Sequence, residues 1–236
     1  DTLNHDVVSW DIIDYEPHMN VLSSTWSFKV KRYPDGTTKK LKARFCVRGY
    51  EQIEGVDYFD TYAPVVSWTT VRLLLVLSIV LNLCTKQVDY TAAFAQAPVT
   101  DNIYVEMPRG YKEAGKVLKL RRSLYGLKQS SRTCFSHLKQ GLHKQGFTQS
   151  SSDPCLFIHP KMICLTYVDD CLFFAKDPKD IDNMIENLRT DNFALQVEDD
   201  IAGYLDVLIS HQDDGSILLS QTGLIDRIID AANLPD

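Results

Sequence analysis

The sequence predicts an α+β fold in which an antiparallel sheet packs on helices. Three observations carry that expectation. Short apolar or alternating runs come in pairs around turn signals, at Pro34-Asp35-Gly36, Pro108-Arg109-Gly110 and Asp213-Asp214-Gly215. Stretches with apolar residues at helical spacing lie between those pairs. At 236 residues with 44% hydrophobic content, the chain is long enough to bury a core beneath both kinds of element.

Residues 1–20 show no clear period and read as a partial lead-in element. Residues 26–33 and 38–47 read as two strands joined at Pro34-Asp35-Gly36, and 49–66 is loop-rich. The most apolar stretch, 71–83, carries Arg72, Ser78 and Asn82 and falls short of the roughly 20 residues a membrane span needs. It reads as a buried helix capped by Ser67 or Thr69. A strand follows and ends at Asp89. Residues 102–107 and 116–120 form a second hairpin. Residues 132–145 place Phe135, Leu138 and Leu142 on one helical face, with Gly146 as a stop. Asp177-Pro178 makes a helix start, the Asp as cap and the Pro in the first turn, and Ile181, Met184, Ile185 and Leu188 give that helix its core face. Residues 204–210 and 216–220 form a last hairpin, and Leu224, Ile225, Ile228 and Ile229 mark a final helix that ends near Pro235.

The chemistry concentrates in four residues, Tyr167-Val168-Asp169-Asp170, set between the apolar runs 163–166 and 171–175. Both flanks read as buried strands, which puts the acidic pair in a tight hairpin turn. Adjacent carboxylates repel unless a cation or donor sits beside them, and hard divalent cations such as Mg²⁺ take oxygen ligands of this kind. An ordinary Asp-Asp turn is the plain alternative. Asp89 supplies a third carboxylate at a strand end, ahead of Tyr90-Thr91-Ala92-Ala93-Phe94. Three such groups meeting in space would suit two-metal phosphoryl transfer.

The ordered series of motifs resembles the reverse transcriptase domain of copia-type LTR retrotransposons. It runs from Trp26-Ser27-Phe28-Lys29-Val30-Lys31-Arg32 through Lys42-Ala43-Arg44, Gly55-Val56-Asp57-Tyr58 and Tyr62-Ala63-Pro64-Val65-Val66 to Val88-Asp89 with Ala93-Phe94. It continues through Ile103-Tyr104-Val105-Glu106-Met107-Pro108, Ser123-Leu124-Tyr125-Gly126-Leu127-Lys128-Gln129 and Ser152-Asp153-Pro154-Cys155-Leu156 to the Tyr-Val-Asp-Asp turn. Three departures stand out. Gln129-Ser130-Ser131-Arg132 replaces Gln-Ala-Pro-Arg, Tyr204-Leu205-Asp206 replaces Phe-Leu-Gly, and Ala95-Gln96-Ala97-Pro98 replaces a Leu-Asn-Gly turn.

The resemblance implies a right-hand polymerase arrangement: fingers-like segments at about 21–66 and 102–132, palm-like segments at about 67–101 and 133–215, and the start of a thumb or connection at 216–236. It implies RNA-directed DNA polymerase activity, with an RNA or DNA template-primer and a dNTP as partners and Mg²⁺ as cofactor, Mn²⁺ substituting. Asp89 and Asp169 would hold the metals, with Asp170 as a third carboxylate. Phe94 corresponds to the aromatic beneath the incoming sugar, though a core Phe is an equal reading. Lys42 and Arg44 alternate onto one strand face and would clamp the triphosphate, or simply line an exposed face; Lys128 shares that ambiguity. Tyr125-Gly126 resembles the segment packed against the base. Tyr167 would touch the primer end or pack in the hairpin, and Asp206 stands where the family's Gly approaches the primer strand. A longer polyprotein with RNase H and integrase regions is expected around this fragment, with a cytoplasmic location in virus-like particles, nuclear access for the parent element, and no membrane partner.

The formal net charge of −6 is the wrong sign for a simple nucleic-acid binder. Its distribution softens that objection, with two solvated strand faces as the plain alternative. Lys29, Lys31, Arg32, Lys39, Lys40, Lys42, Arg44 and Arg48 cluster early, Lys116, Lys119, Arg121, Arg122, Lys128 and Arg132 form a second basic block, and the acids crowd the later half. The six Cys have no Cys-x-x-Cys spacing and read as reduced core residues. The six His lack zinc-ligand spacing. Two alternatives stand beside the polymerase: a catalytically impaired relic of the same domain, with at most nucleic-acid binding, and a two-metal phosphodiesterase on another fold.

Overall fold

The computed structural model describes residues 9–32, 37–198, 203–204 and 207–232. Along the chain, strands β1 (Trp10–Asp14), β2 (Val21–Leu22), β3 (Ser24–Arg32) and β4 (Thr38–Val47) precede helix α1 (Trp68–Val80). Next come β5 (Cys84–Tyr90), a short α2 (Ala93–Gln96), β6 (Tyr104–Glu106), β7 (Lys116–Leu120) and α3 (Ser130–Lys144). Four strands follow, β8 (Thr148–Gln149), β9 (Leu156–His159), β10 (Met162–Tyr167) and β11 (Asp170–Ala175), then α4 (Pro178–Thr190) and β12 (Leu195–Glu198). The described chain closes with β13 (Gly203–Tyr204), β14 (Val207–His211), β15 (Ile217–Ser220) and α5 (Thr222–Ala232). The mixture of helix and antiparallel hairpins agrees with the α+β expectation. The chain divides into two compact units, residues 1–64 with 92–141 and residues 65–91 with 142–236.

The first unit holds a four-stranded sheet in the order β1-β7-β6-β2. The β6–β7 hairpin is the one its turn signal predicts. β1 is a correction to the sequence reading, which saw no period in residues 1–20: Trp10 to Asp14 pair antiparallel with Leu120 to Lys116. Leu22, Val47, Ile103, Val105, Leu118, Leu120, Leu124 and Leu127 form the buried core here.

β3 and β4 form a two-stranded ribbon, and an isolated bridge joins Cys46 of β4 to Tyr125. The ribbon's register puts Trp26 opposite Phe45, Phe28 opposite Ala43 and Val30 opposite Leu41, so the middle of one face is apolar. The other face carries Lys29 opposite Lys42 and Ser27 opposite Arg44. The turn at 33–36 lies outside the described residues.

The second unit is built on a six-stranded antiparallel sheet in the order β12-β5-β11-β10-β9-β8. β8, β9 and β12 are strands the sequence reading did not separate. α4 packs against β5 and β11 through Ile181, Met184, Ile185 and Leu188, all buried. Its start is as read from the sequence: the Asp177 side chain accepts from Lys179 N at 2.9 Å.

α1 is capped by Ser67, whose hydroxyl accepts from Thr69 N. It is not buried all round. Val71, Leu74, Leu75 and Ser78 face inward, while Leu73, Val76, Ile79 and Val80 are exposed. Asp153 anchors its first turn, accepting from Ser67 N and the Thr70 hydroxyl while its other oxygen caps Cys155 N. β13, β14 and β15 form a small antiparallel sheet. Among the described residues, no helix is long and apolar enough to cross a membrane.

Candidate active site

β10 and β11 form a hairpin closed by the pair Tyr167 and Asp170, which leaves Val168-Asp169 as a two-residue turn. Such turns need a positive φ to match the strand twist. Val168 adopts φ 54°, a conformation a β-branched side chain takes only under strain of about 1–3 kcal/mol.

β5 lies on the other side of β11, and the register sets Asp89 directly opposite Asp170. β12 flanks Asp89 from its other edge with Gln196. The next residue, Tyr90, donates its N–H to the Asp169 carbonyl at 2.6 Å, which ties the turn to the strand end. Asp89, Asp169 and Asp170 thus meet at one end of the sheet, all half-buried and open to solvent.

Polar groups hold two of these carboxylates. The Thr91 hydroxyl donates to Asp89 Oδ2 at 3.2 Å. Gln87 donates from its side-chain amide to Asp170 Oδ1 at 3.3 Å. The sequence reading missed both. The available signal was period-two alternation, which puts Gln87 on the same strand face as Asp89.

The donor chemistry fits a divalent cation: all three side chains offer only carboxylate oxygens, and a directly opposed Asp pair is destabilising without a cation. Among the described residues, no group of three or more His, Cys, Asp and Glu is gathered tightly enough to hold an ion.

In the first unit, three of the residues assigned to the nucleotide come together. The Arg44 guanidinium lies over the Tyr125 ring, 5.0 Å from its centroid, and Phe94 meets the same ring edge-on at 4.9 Å. Arg44 Nε is buried with no hydrogen-bond partner among the described residues. Phe94 and Tyr125 are both half-buried.

Gly126 has a backbone reason to be glycine. Its φ is +94°, and a Cβ there would stand 2.0 Å from the Val47 carbonyl oxygen. That carbonyl belongs to the strand whose N–H donates to Tyr125 O at 2.8 Å. Gly49 repeats the constraint, since its Cβ would stand 2.0 Å from Gly126 O.

Lys128 lies elsewhere in the unit, against Tyr58, donating to its hydroxyl at 3.2 Å with the ammonium 4.7 Å from the ring centroid. Lys42 is half-buried on the basic face of the ribbon. Tyr167 is half-buried in the hairpin. Asp206 lies outside the described residues.

A buried polar network missed by the sequence reading fastens the loop after β4 to the turn before α3. Gln52 donates to Gln129 and accepts from Lys128 N, while Gln129 donates to the Asp57 carbonyl. The Ser130 departure fits here without cost, because its buried hydroxyl donates to Leu124 O at 2.6 Å and accepts from Ser123.

None of the six cysteines is in a disulfide, and four are buried. Burial, with Asp153 nearby, pushes Cys155 up to about 12. Burial and the neighbouring Cys171 thiol also raise Cys164. Neither is a thiolate at neutral pH, so both serve packing.

Residues 7–236 match the family described as reverse transcriptase (RNA-dependent DNA polymerase), whose members generally use divalent metal ions. The chain is 32% identical over 207 residues to the retrovirus-related Pol polyprotein from transposon RE1 of Arabidopsis thaliana, covering 84% of this chain and 14% of that polyprotein. It is 30% identical over 238 residues to the corresponding polyprotein from transposon TNT 1-94 of Nicotiana tabacum, covering 96% of this chain and 18% of the other. The transposon Ty1-ER2 Gag-Pol polyprotein of Saccharomyces cerevisiae matches at 33% identity over 163 residues, which is 66% of this chain and 9% of that protein. The chain therefore spans less than a fifth of each of these relatives. A solved foamy viral protease-reverse transcriptase in complex with ds DNA aligns with 95% of this chain and 34% of its own, at 13% identity and a TM-score of 0.45. With the family matched over nearly the whole sequence, this chain belongs to the reverse transcriptases, as a domain of the kind found in copia-type transposon Pol polyproteins.

Proposed function

We propose that this domain is an RNA-directed DNA polymerase that extends a primer on an RNA or DNA template. The observation that carries the reading is the register of Asp89 against Asp170, one residue from the Asp169 turn. In the reaction, the primer 3′ oxygen forms a bond to the α-phosphorus of a dNTP, the bond from that phosphorus to the bridging oxygen breaks, and pyrophosphate leaves.

Asp89, Asp169 and Asp170 would hold divalent cations, Mg²⁺ with Mn²⁺ as substitute. When bound, such ions lower the pKa of the attacking hydroxyl and neutralise charge on the phosphoryl and leaving oxygens. The protein's own part is positioning. Thr91 and Gln87 restrain the carboxylates. Arg44, fixed on Tyr125, offers guanidinium donors to a triphosphate, and Lys42 on the same ribbon face adds positive charge. Phe94, braced on Tyr125, would lie beneath the sugar, and Gly126 lets the backbone beside Tyr125 run close to a base. Tyr167 and the Asp206 segment are assigned to the primer strand, Lys128 to the nucleotide side.

We assign fingers-like roles to segments 21–66 and 102–132, palm-like roles to 67–101 and 133–215, and the thumb or connection to 216–236. The parent protein would carry RNase H and integrase regions and work in cytoplasmic virus-like particles with nuclear access.

Primer extension with Mg²⁺ or Mn²⁺ on primed RNA and DNA templates tests the proposal. The parent protein should lengthen the primer, and Asp169→Asn should abolish extension while its melting temperature stays within a few degrees. A shortened primer would mean a nuclease, and an unchanged primer with the parent protein would mean a relic. Parent-rate extension by folded Asp169→Asn would refute the site.

A further inference from the structure

We infer that Gln87 is a positioning residue for the third carboxylate, its buried amide holding Asp170 in the orientation from which that group serves an ion. The inference rests on the proposed reading of Asp89, Asp169 and Asp170 as ion ligands.

Gln87 sits on β5 two residues before Asp89, so the two side chains share a face of the central strand. Leu172 of β11 stands opposite it. It is only 6% exposed. Its amide nitrogen donates to Asp170 Oδ1 at 3.3 Å, and its amide oxygen is buried with no partner among the described residues.

The chemistry of the position is uneconomical for a purely structural residue. A buried acceptor without a donor is a standing penalty, and an aliphatic side chain would fill the same buried strand position without it. What the amide supplies, and an aliphatic chain does not, is a neutral donor aimed at one carboxylate oxygen. Neutrality matters beside an ion site. A lysine in this place would pair with Asp170 and compete with a cation, whereas a carboxamide orients the carboxylate and leaves its charge for the ion. Hydrogen-bond partners behind ligating carboxylates act in this way in metal sites, and their loss typically costs about 10–100-fold in metal affinity.

The test uses the whole chain, with Mn²⁺ alone as the probe in calorimetric titration and with thermal melting run alongside. Gln87→Met keeps the length of the side chain and removes the donor; Gln87→Leu removes the donor with a second, shorter shape, should one of them pack badly. Both should weaken Mn²⁺ binding by about 10–100-fold, with melting temperatures at or above that of the parent because the orphan oxygen is gone. The Mn²⁺ concentration for half-maximal primer extension should rise by the same factor. A folded Gln87 variant that binds Mn²⁺ with parental affinity overturns the inference and makes Gln87 a packing residue. Asp169→Asn separates the two layers. If it loses Mn²⁺ binding while the Gln87 variants keep it, only the inference fails; if it binds as the parent does, or the parent binds none, the carboxylate reading fails.

Discussion

Replacing Gly126 with alanine tests the geometry of the Tyr125 segment. The perturbation has two parts that a second glycine separates. Gly126 has φ +94° and a Cβ position 2.0 Å from the Val47 carbonyl oxygen, whereas Gly110 has φ +95° and nothing within 4 Å of its Cβ position. Alanine at Gly110 therefore meets only the left-handed backbone, a cost of about 1–2 kcal/mol partly offset by about 0.4–1 kcal/mol from the stiffer unfolded chain. Alanine at Gly126 pays the same and must also push the oxygen from 2.0 Å to an ordinary 3.4 Å, about 1.4 Å of movement. The atom in the way is backbone, so the shift breaks the 2.8 Å hydrogen bond from Val47 N to Tyr125 O. Leaving such groups unpaired costs about 1–3 kcal/mol. The two variants should thus differ by about 2 kcal/mol or more, which at this chain length is roughly 4–8 °C in melting temperature. Thermal melting by circular dichroism, run on both variants under one buffer, reads the difference. Equal melting temperatures would refute the claim that close backbone approach, rather than turn conformation, demands glycine at 126.

Three further outcomes follow from single groups. Tyr204 is fully buried, its hydroxyl has no partner among the described residues, and its ionisation is pushed far up by burial and by Cys171 and Asp170 nearby; Tyr204→Phe should raise stability by about 1 kcal/mol, and a lower melting temperature would show that the hydroxyl is engaged. The Glu51 carboxyl is held below its ordinary 4.5 by the Ser23 hydroxyl and then the Ser23 N–H, both donating to it. A depressed carboxyl stabilises fully above its unfolded pKa and loses that contribution as pH falls through the folded one, so the parent should lose stability below about pH 4.5 more steeply than Glu51→Gln; parallel curves of melting temperature against pH would remove Glu51 from the account. Phe94→Val should raise the kcat/KM for ribonucleotides relative to deoxyribonucleotides by opening room for a 2′ hydroxyl, and an unchanged ratio in a protein that melts earlier would leave Phe94 as packing against Tyr125.

What the sequence made legible, it did through local signals. The Asp177-Pro178 start, the Gly146 stop and the hairpin around Asp169 are set by caps, left-handed glycine and turn chemistry that a few adjacent residues encode. β1 escaped because its identity comes from pairing with a strand more than a hundred positions away, Trp10 against Leu120, and Trp-Asp-Ile-Ile-Asp has no clean alternation. α1 misled for the opposite reason. A segment apolar on every side predicts burial on every side, yet among the described residues only the face of Val71, Leu74, Leu75 and Ser78 is covered. At the site, the acids were visible as motifs, but Gln87 and Thr91 carry no motif of their own and emerge only when the strand register puts them beside Asp170 and Asp89.

That register also explains how a short, repulsive cluster survives in a folded sheet. β5 is interior to its sheet, flanked by β11 and β12, so Asp89 is fixed by ladders on both sides. The turn that carries Asp169 is strained at Val168, and the Tyr90 N–H to Asp169 O bond holds it against the strand end. A one-residue slip of β11 against β5 would send Asp170 to the opposite face and set Cys171, now buried, among the acids. The buried run Cys171 to Ala175, with buried Val88 and Tyr90, therefore does more than stabilise the sheet. Their packing selects the one register in which the carboxylates coincide, and the strain and repulsion at the tip are borne by that core rather than relieved locally.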